Sequence, residues 1–392
     1  MKIAVVHDYF TQQGGAERVA EEIYSIFPKA DLFATVAFPD LMPDKLKRVP
    51  VHTTWLQRMP WVRKYYRLYF LLYPLAVRSL DLSGYDLVLS SSSSYAKGVR
   101  RAPDALHVCY CHTPTRWVWS FDSFSRTGSF AGPVRWILPA LIKVLKRWDI
   151  AAARRPDYFI ANSHIVAERI QSAYGRSSEV IYPPIDVGRF RVSTERQDYY
   201  VVLSRLVSAK RIDLAVEACT RLNRKLIVIG AGPALAALEA IAGPSISFKG
   251  RLSDSAVERY VSGCRALILP GEEDFGMAPL EVAAAGRPTI AFRAGGAIET
   301  IRERKTGIFF DQQTPEHLMA AIEESERTEW DSHLMRQHAL GFRVEVFQQR
   351  LLSFLKRVGA RVTVPSLEWS HGPDKVHASS AHDRAPARSA SA

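Results

Sequence analysis

Short runs of apolar residues alternate with longer stretches of helical periodicity along most of the chain. In the first half, the runs predict strands at residues 3–6, 86–89, 106–111, 158–161 and 180–182. In the second half, they predict strands at residues 199–203, 225–229, 246–249, 266–269 and 289–292. Apolar strands separated by helix-length segments are typical of parallel sheets covered by helices on both faces. The pattern therefore predicts an α/β fold.

The two series of strands are separated by the segment YPPIDVGRFRVSTERQ. Pro183 and Pro184 stop regular structure there, because proline lacks the N–H that a helix or sheet needs. The charged run that follows, which ends near Asp198, is typical of a linker. We therefore expect a domain boundary within this segment.

The strand series on either side of the boundary predict two doubly wound, Rossmann-like domains that face each other across a cleft. We expect the first at residues 1–190 and the second at residues 191–341, with a helix at about 342–358 that returns to the first. Residues 359–392 are rich in Ala, Ser, Pro and charged residues and have almost no apolar period. Such a composition predicts a disordered tail.

Length and charge narrow the class of protein. A chain of 392 residues that is 47% apolar can bury a large core and is too long for one ordinary domain. Its net charge of +12 favours anionic partners, and nucleic acid, anionic lipid and nucleotide diphosphates all have the right sign. The apolar run before His7 is too short for a signal peptide, and no run reaches the roughly 18 apolar residues of a membrane span. We expect a cytoplasmic protein.

The four cysteines do not form a recognisable metal-binding pattern. Cys219 and Cys264 are isolated in apolar surroundings, where small buried thiols are common. Cys109 and Cys111 lie two apart in HVCYCH, and the flanking histidines raise the alternative of a metal site. That alternative is disfavoured, because the C-x-C spacing is unusual for zinc and a second ligand pair is absent.

Glycine and basic residues follow several predicted strands. The segment GGAER, Gly14–Arg18, opens a helix after the first strand, so its glycines allow close approach of an anion to a helix N-terminus. A glycine turn without a ligand is the alternative. Arg205 and Lys210 in SRLVSAKR follow the first strand of the second series, where they either neutralise a diphosphate or form a solvated basic face. Gly230 and Gly250 end the next two strands, at the same edge of the sheet.

Two glutamates flank a predicted strand-to-helix junction in GEEDFGMAPLE. Glu273 and Glu281 are separated by seven residues, and the helix is predicted to have Pro279 near its first position and Gly286 as its C-terminal stop. In an open parallel sheet this junction lies at the carboxyl end of the strands, where ligands bind. We expect Glu273 in a loop facing the crevice and Glu281 in the first helical turn, beside free backbone N–H groups.

The ordered set GGAER, CHTPTRW, YPPID, SRLVSAKR, GAGP, FKGRLSD, EDFGMAPLE and AGGAIETI resembles a retaining sugar-nucleotide glycosyltransferase of family 4, with the two-domain GT-B fold. The resemblance covers roughly residues 1–358, and the E-x7-E block with the upstream Arg and Lys is its most specific part. It implies that Glu281 holds the donor ribose and that Glu273 meets the hydroxyls of the transferred sugar. Arg205 and Lys210 would bind the diphosphate.

The resemblance also implies further contacts to the donor. His112 would contact the transferred sugar near the reacting carbon, which places it with Glu273, Arg205 and Lys210 in the catalytic set. Gly15 would approach the phosphates from the other domain. The remaining donor-binding positions are the backbone N–H groups of Phe275, Gly276 and Met277, the turn at Gly230, and the stretch that contains Gly250 and Arg251.

The chemistry of this family follows from charge. Breaking the bond between the anomeric carbon and the phosphate leaves negative charge on the nucleoside diphosphate, and fixed cations lower that barrier. The sequence contains no D-x-D triplet to hold a divalent ion, so we expect no metal and no cofactor. The resemblance implies attack on the same face as departure, with the leaving phosphate taking the acceptor's proton. Glu273 is then a positioning group, although a covalent intermediate remains an alternative.

Two stretches of the first domain bear on the acceptor. Residues 55–78 and 134–148 interleave Trp and Tyr with Arg and Lys around apolar faces. They either lie on an anionic leaflet or are ordinary helices with snorkelling basic edges. RNA binding is a third interpretation, but no nucleic-acid module is visible, so we predict no nucleic-acid partner.

The expected function is a retaining hexosyltransferase, peripheral on the inner face of the plasma membrane, that builds a surface polysaccharide on a polyprenyl-diphosphate-linked acceptor. The opening IAVVHDYFTQQGGAERV most resembles mannosyltransferases of this family, which favours GDP-mannose as donor. A UDP-hexose donor is the alternative. A nucleotide-binding protein that kept the fold without transferase activity is the alternative from another class, and the presence of both glutamates with His112, Arg205 and Lys210 argues against it.

Overall fold

The protein is described by a computed structural model that covers residues 1–119, 134–193 and 195–362. Seven parallel strands form the first sheet, in the order β3-β2-β1-β4-β5-β6-β7. They are β1 (Ile3–His7), β2 (Asp31–Ala34), β3 (Val51–Thr53), β4 (Leu87–Ser92), β5 (Leu106–Cys111), β6 (Tyr158–Ala161) and β7 (Ser178–Val180).

Six parallel strands form the second sheet, in the order β10-β9-β8-β11-β12-β13. They are β8 (Tyr200–Leu203), β9 (Leu226–Ile229), β10 (Ile246–Gly250), β11 (Leu267–Leu269), β12 (Thr289–Phe292) and β13 (Gly307–Phe310). In both sheets the strand order reverses beside the first strand of the domain, as in doubly wound folds. The prediction of two doubly wound parallel sheets is confirmed.

Helices connect the strands in both domains. Those that follow strands of the first sheet are α1 (Gly15–Ile26), α2 (Val62–Tyr65), α3 (Tyr73–Arg78), α4 (Arg116–Trp119), α5 (Val134–Ala152) and α6 (His164–Tyr174). The later helices are α7 (Ile212–Arg221), α8 (Leu235–Ile241), α9 (Asp254–Gly263), α10 (Met277–Ala284), α11 (Ala297–Thr300), α12 (Pro315–Arg327), α13 (Ser332–Leu340) and α14 (Val344–Arg357). Short 3-10 turns lie at Pro39–Leu41, Asp44–Leu46, Trp55–Arg58, Tyr66–Tyr69, Ala96–Gly98, Val187–Arg189 and Ser208–Lys210.

Three strands of the structure were not predicted, namely β2, β3 and β13. Strand β3 reads Val-His-Thr and has no continuous apolar run, and β2 and β13 each contain only three consecutive apolar residues. The strand predicted at residues 180–182 is β7, which ends at Val180. Its three side chains are half-buried, exposed and half-buried in turn at the edge of the sheet, whereas the apolar residues after it lead into the two prolines.

The last described helix packs on the first sheet, although it follows the second domain in the chain. Phe347, Leu351 and Leu355 of α14 are buried in one cluster with Val5 and Leu32 of the first sheet. The chain reaches this position through a bridge between the backbones at residues 185 and 343. Helix α14 therefore ties the end of the second domain to the first.

The tail predicted at residues 359–392 falls largely outside the described residues, which end at 362. Within the described part, Ala360 and Val362 are buried in the same cluster as α14. Their apolar side chains extend the buried face of α14 a few residues beyond the end of the helix. None of the described helices is both long and apolar enough to span a bilayer.

Candidate functional site

Lys210 and Glu273 form an ion pair where the second sheet meets the cleft. Lys210 ends the 3-10 turn that follows β8, and its side chain is buried. Glu273 lies in the loop after β11, as expected, and its backbone bridges to Gly295. The glycine at position 271 lets the backbone of this loop lie directly against the backbone of Lys210. A Cβ at that position would lie only 2.6 Å from the carbonyl oxygen of Lys210. The structure thus brings together two of the residues placed in the catalytic set.

Arg205 is exposed at the edge of the cleft, and Glu17 of the GGAER segment faces it from the other domain. Burial raises the pKa of Glu17 to about 7, although hydrogen bonding from Gln12 and the charge of Arg205 act in the opposite direction. The Oε2 atom of Glu17 has no hydrogen-bond partner among the described residues. The prediction for the segment GGAER concerned only its glycines. It did not identify Glu17 as a site residue, although Glu17 lies in the same segment.

Two of the predicted donor-binding glycines adopt backbone conformations that other residues rarely adopt. Gly230 has a φ of 145°, and a Cβ there would lie 1.8 Å from the carbonyl oxygen of Ser204. Gly250 has a φ of 63°, and its carbonyl accepts a 2.8 Å hydrogen bond from the N–H of Gly230. Arg251 is exposed directly after this turn. The two turns therefore lie side by side at one edge of the second sheet.

The loop before α10 is shaped by Gly276, which has a φ of 87° and caps the helix. Phe275 is buried and stacks on Tyr182 with ring centroids 5.4 Å apart, so its side chain belongs to the core and only its backbone can face a ligand. Across the cleft, Gly15 approaches Met277 so closely that a Cβ at Gly15 would lie 2.8 Å from the sulfur. The predicted phosphate loop of the first domain therefore lies against the start of α10.

Glu281 lies one turn deeper in α10 than expected. The helix begins at Met277, directly after the left-handed Gly276, so Glu281 is its fifth residue and the prediction of a first-turn position is wrong. Its buried carboxylate accepts a 2.7 Å hydrogen bond from Nη1 of Arg18, and Arg18 also contacts Asp254 at 3.4 Å. The predicted ribose ligand is therefore held in an ion pair between the domains. Arg18, like Glu17, belongs to the GGAER segment and was not identified.

His112 is buried at the carboxyl end of β5 and takes part in a chain of hydrogen bonds. Its Nε2 lies 2.8 Å from Oγ of Ser91, and the same oxygen lies 3.1 Å from Nδ1 of His7. Burial lowers the pKa of His112 to about 3 and that of His7 to about 4. Both rings are therefore neutral near pH 7. Because Ser91 has one hydrogen to donate, its two hydrogen bonds couple the tautomers of the two histidines.

A cavity of about 560 Å³ lies between the domains, beside the loop that carries Glu273. The first domain lines it with Thr113, Arg116, Trp119 and Arg169, and the second domain contributes Asp274. Charged side chains line the cavity from both domains, and Trp119 adds an aromatic side chain from the first. Its dimensions suit a ligand of the size of a sugar.

The part of the chain that the structure describes contains no group of three or more His, Cys, Asp or Glu side chains arranged to hold a metal ion. Cys109 and Cys111 lie in β5, where both thiols are buried. Burial raises the pKa of Cys109 to about 12, and it raises that of Cys111 as well. Both are protonated thiols of the sheet core near neutral pH.

Family models match the chain in two consecutive parts. Residues 13–189 match the model described as Glycosyltransferase Family 4, and residues 189–339 match the model described as Glycosyl transferases group 1. Together they run from α1 into α13 and include every residue that the sequence predicted for the site.

Relatives of known activity match at low identity. The GDP-mannose-dependent alpha-(1-6)-phosphatidylinositol monomannoside mannosyltransferase of Mycobacterium tuberculosis is 28% identical over 194 residues, covering 41% of this chain and 50% of the relative. The alpha-1,3/1,6-mannosyltransferase ALG2 of Homo sapiens is 26% identical over 252 residues, covering 55% of this chain and 58% of the relative. The chain thus spans about half the length of the curated relatives it matches.

Solved structures resemble the whole described fold. HepE of Anabaena in complex with UDP-glucose superimposes with a TM-score of 0.67 at 17% identity, covering 91% of this chain and 100% of that one. Sucrose-phosphate synthase from Thermosynechococcus elongatus gives a TM-score of 0.72 at 14% identity, covering 92% and 100%. At such identities the likeness concerns the fold alone.

Proposed function

Because the chain belongs to glycosyltransferase family 4, we propose that it is a retaining hexosyltransferase that moves mannose from GDP-mannose to a lipid-diphosphate-linked oligosaccharide. The observation that carries the proposal is the Lys210–Glu273 ion pair at the cleft, with Arg205 at the same edge. A buried ammonium and an exposed guanidinium at the carboxyl edge of a parallel sheet suit a diphosphate. The names of the mannosyltransferase relatives support GDP-mannose as donor.

Donor binding would replace the ion pairs of the cleft by contacts to the ligand. The diphosphate binds Lys210, so that Glu273 is free to accept hydrogen bonds from the hydroxyls of the transferred sugar. The ribose hydroxyls take Glu281, which releases Arg18. The first exchange replaces a protein anion by the anionic diphosphate, and the second replaces a guanidinium by two hydroxyl donors, so each buried charged group keeps a hydrogen-bonding partner.

Departure of the nucleoside diphosphate is then helped by the cations that face it. Arg205 and Lys210 stabilise the negative charge that develops on the leaving oxygens. The acceptor hydroxyl attacks from the same face, and the departing phosphate takes its proton, so the donor's anomeric configuration is retained. Glu273 positions the sugar. In this proposal no metal is needed, since the sequence lacks a D-x-D triplet and two cations occupy that role.

The acceptor side of the proposal rests on the surface formed by residues 55–78, which we call the basic-aromatic patch. One side of this patch packs in the first-domain core through Tyr73 and Val77. The other side leaves Trp61, Leu68 and Leu75 exposed by 77%, 60% and 57% respectively. Apolar side chains interleaved with Arg and Lys suit the headgroup region of an anionic leaflet. We propose that the protein works there, on the inner face of the plasma membrane, in surface polysaccharide synthesis.

Transfer itself tests the donor and the mechanism. Purified protein is incubated with GDP-mannose and a short polyprenyl-diphosphate-linked saccharide, and the product's anomeric configuration is determined by NMR. We expect a mannosylated lipid with the donor's configuration, formed equally well in excess chelator. Turnover of UDP-hexoses alone would contradict the donor, and chelator inhibition reversed by magnesium would contradict metal independence. Nucleotide binding without turnover of any sugar nucleotide would favour a protein that kept the fold and lost the activity.

Vesicle binding tests the membrane side separately. We expect the protein to sediment with vesicles containing anionic lipid and to leave them as salt is raised, because surface attraction is screened over roughly 8 Å at physiological ionic strength. The Leu68→Ser, Leu75→Ser double variant should bind more weakly. Ile241→Ser, which changes an exposed apolar residue of the second domain, is the control. Equal binding by all three proteins would contradict the assignment of the patch.

A further inference from the structure

The loop that carries Glu273 is held from the first domain through its neighbour Asp274. One carboxylate oxygen of Asp274 accepts a hydrogen bond from Arg116, and the other accepts one from Nη1 of Arg169 at 2.5 Å. Both arginines belong to the first domain, on α4 and α6, whereas Asp274 belongs to the second. Because each of its oxygens has a guanidinium partner, Asp274 is suited to hold the two domains together rather than to act as a base.

Further contacts join the same segments across the cleft. Ser163, the buried cap of α6, donates a 2.6 Å hydrogen bond from its hydroxyl to the backbone carbonyl of Asp274. Arg169 also contacts Glu272. Glu299 of the second domain accepts from the N–H groups of residues 164 and 165, at 2.9 and 3.2 Å. A second-domain carboxylate thus satisfies two free N–H groups at the start of α6.

The first-domain helices that carry Arg116 and Arg169 are joined to each other through the buried carboxylate of Asp149. Asp149 is buried and accepts hydrogen bonds from Oγ1 of Thr115 at 2.7 Å and from Nε1 of Trp119 at 2.8 Å. It also pairs with the buried Lys97 at 2.6 Å and accepts from the hydroxyl of Tyr174 at 2.7 Å. These bonds fix both ends of α4 and the last residue of α6. The two arginines therefore extend from elements that are also held by contacts within the first domain.

We propose that Arg116, Ser163 and Arg169 are positioning residues, which hold Asp274 and thereby set Glu273 against the transferred sugar only when the cleft is closed. This inference rests on the proposed function, because it concerns the same reaction. The geometry carries it: the backbone at Glu273 is bridged to Gly295 within its own domain, and at the very next residue the chain is anchored to the other domain. Opening the cleft breaks the second anchor and leaves the Glu273 carboxylate held from one side.

The consequence is that closure and catalysis are coupled through this loop. A reacting group that is displaced by about 1 Å can lose roughly 10²-fold in rate. Donor binding requires less, since the nucleoside diphosphate is expected to contact Lys210, Arg205 and Glu281 rather than Asp274. Loss of the arginines should therefore lower kcat much more than it weakens binding of the nucleotide.

The variants are Arg116→Gln, Arg169→Gln and their combination, with Ser163→Ala as a milder change that removes one hydrogen bond. Arg224→Gln is the matched control, because Arg224 pairs with Glu326 at 2.8 Å within the second domain, away from the cleft. With GDP-mannose as donor we expect kcat to fall about 10- to 100-fold in the double variant. The affinity for GDP, measured by calorimetry, should stay within about twofold, and Arg169→Lys should restore part of kcat. An equal loss of GDP affinity and kcat would make the arginines donor ligands and overturn the proposal.

A second measurement does not depend on turnover. Hydrogen exchange of the backbone at residues 270–276 is followed in wild type, in the double variant, in Ser163→Ala and in the control, with and without GDP. We expect faster exchange in the double variant, a smaller increase in Ser163→Ala and wild-type exchange in Arg224→Gln. If wild type turns over no sugar nucleotide, the proposed function fails, yet this exchange pattern still tests the anchoring. Unchanged exchange in the double variant would overturn it.

Discussion

The cleft has one wall from each domain, and the polar side chains of the two walls differ in how their charge is controlled. On the first-domain wall, burial holds His112 and His7 in their neutral forms and raises the pKa of Glu17 to about 7. On the second-domain wall, Lys210 pairs with Glu273, and Glu281 pairs with an arginine from the opposite wall. Apart from Arg18, Arg116 and Arg169, which pair with carboxylates across the cleft, the first wall presents groups that burial shifts toward their neutral forms, and the second presents charges that already have partners.

From this difference we predict which part of a sugar nucleotide each wall recognises. Neutral imidazoles and hydroxyls exchange hydrogen bonds with sugar hydroxyls without a large desolvation cost, whereas fixed cations suit a diphosphate. Desolvation sets the protonation of the first wall, and ion pairing neutralises the charges of the second. Variants that remove a charge and variants that remove a neutral hydrogen bond should therefore differ in size and in the kinetic step they affect.

The largest effect is expected when a cation of the second wall is removed. Arg205→Ala and Lys210→Ala should each lower kcat by about 10²-fold or more, because each removes a donor aimed at developing charge. Arg205→Lys should restore the rate in part, since an ammonium cannot make a planar bidentate contact. Lys225→Ala is the control, as Lys225 is an exposed lysine at the opposite end of the same sheet. Near-normal turnover of both alanine variants would show that the pair is only a solvated basic face.

The two glutamates should separate binding from turnover within the second wall. Glu273→Gln keeps the shape and removes the charge, so kcat should fall by about 10²-fold without loss of affinity for GDP. Glu281→Ala should raise KM more than it lowers kcat, because ribose contacts contribute equally in the ground and transition states. It also leaves Arg18 without its 2.7 Å partner. Calorimetry with GDP decides: an equal loss of affinity in both variants would assign both carboxylates to the nucleotide.

On the neutral wall a smaller effect is expected. Ser91→Ala removes the hydroxyl that joins His112 to His7, so the imidazole of His112 loses the partner that sets its tautomer. The loss of one such hydrogen bond is worth about 1 kcal/mol, which corresponds to roughly fivefold in kcat. Ser90→Ala is the control, because Ser90 bonds to a different buried histidine, His107. Equal rates for both variants would remove Ser91 from the site.

For Glu17 the expected effect is on the pH dependence of the unfolding free energy rather than on turnover. Its folded pKa of about 7 lies above the ordinary value of 4.5, so the folded state holds a proton that the unfolded chain has lost. That contribution to stability is complete below the ordinary pKa and disappears as pH rises through 7. Between about pH 6 and pH 8, wild type should therefore lose about 1 kcal/mol of unfolding free energy relative to Glu17→Gln.

Denaturant unfolding of both proteins at the two pH values gives this difference directly. Groups common to both proteins, including Asp8 and Arg205 that face Glu17, cancel in the comparison. If the unfolding free energy of wild type does not fall relative to that of Glu17→Gln between the two pH values, Glu17 is ionised throughout the range.

Much of the architecture could be predicted because buried parallel strands are apolar on both faces and leave a continuous run in the sequence. That signal identified β1, β4 and β8, and it failed for β3, whose three residues include a histidine. The predicted loop position of Glu273 holds, whereas Glu281 lies one turn deeper than predicted, since the helix begins at Met277, directly after the left-handed Gly276 and two residues before Pro279.

The partners of the site residues could not be predicted in the same way. Arg18 and Glu281 are 263 positions apart in the chain, and Arg116 and Asp274 are 158 apart. Neither pair has a local period or spacing, because each joins residues from different domains. The hydrogen bonds of Ser91 also have no local spacing in the sequence, although they lie within one domain. They connect β4 to a histidine on β1 and to another just past the end of β5.

The alternation of strands and helices, the glycines at the strand ends and the set of chemically active side chains all follow from the sequence alone. These depend on local periodicity and on the backbone freedom of single residues, both of which a short segment contains in full. Which charges are paired across the cleft, and which polar groups burial keeps neutral, follows only from the folded structure. Ion pairing and desolvation depend on distances and solvent exclusion between segments far apart in the chain, which exist only once the two domains have folded and closed on each other.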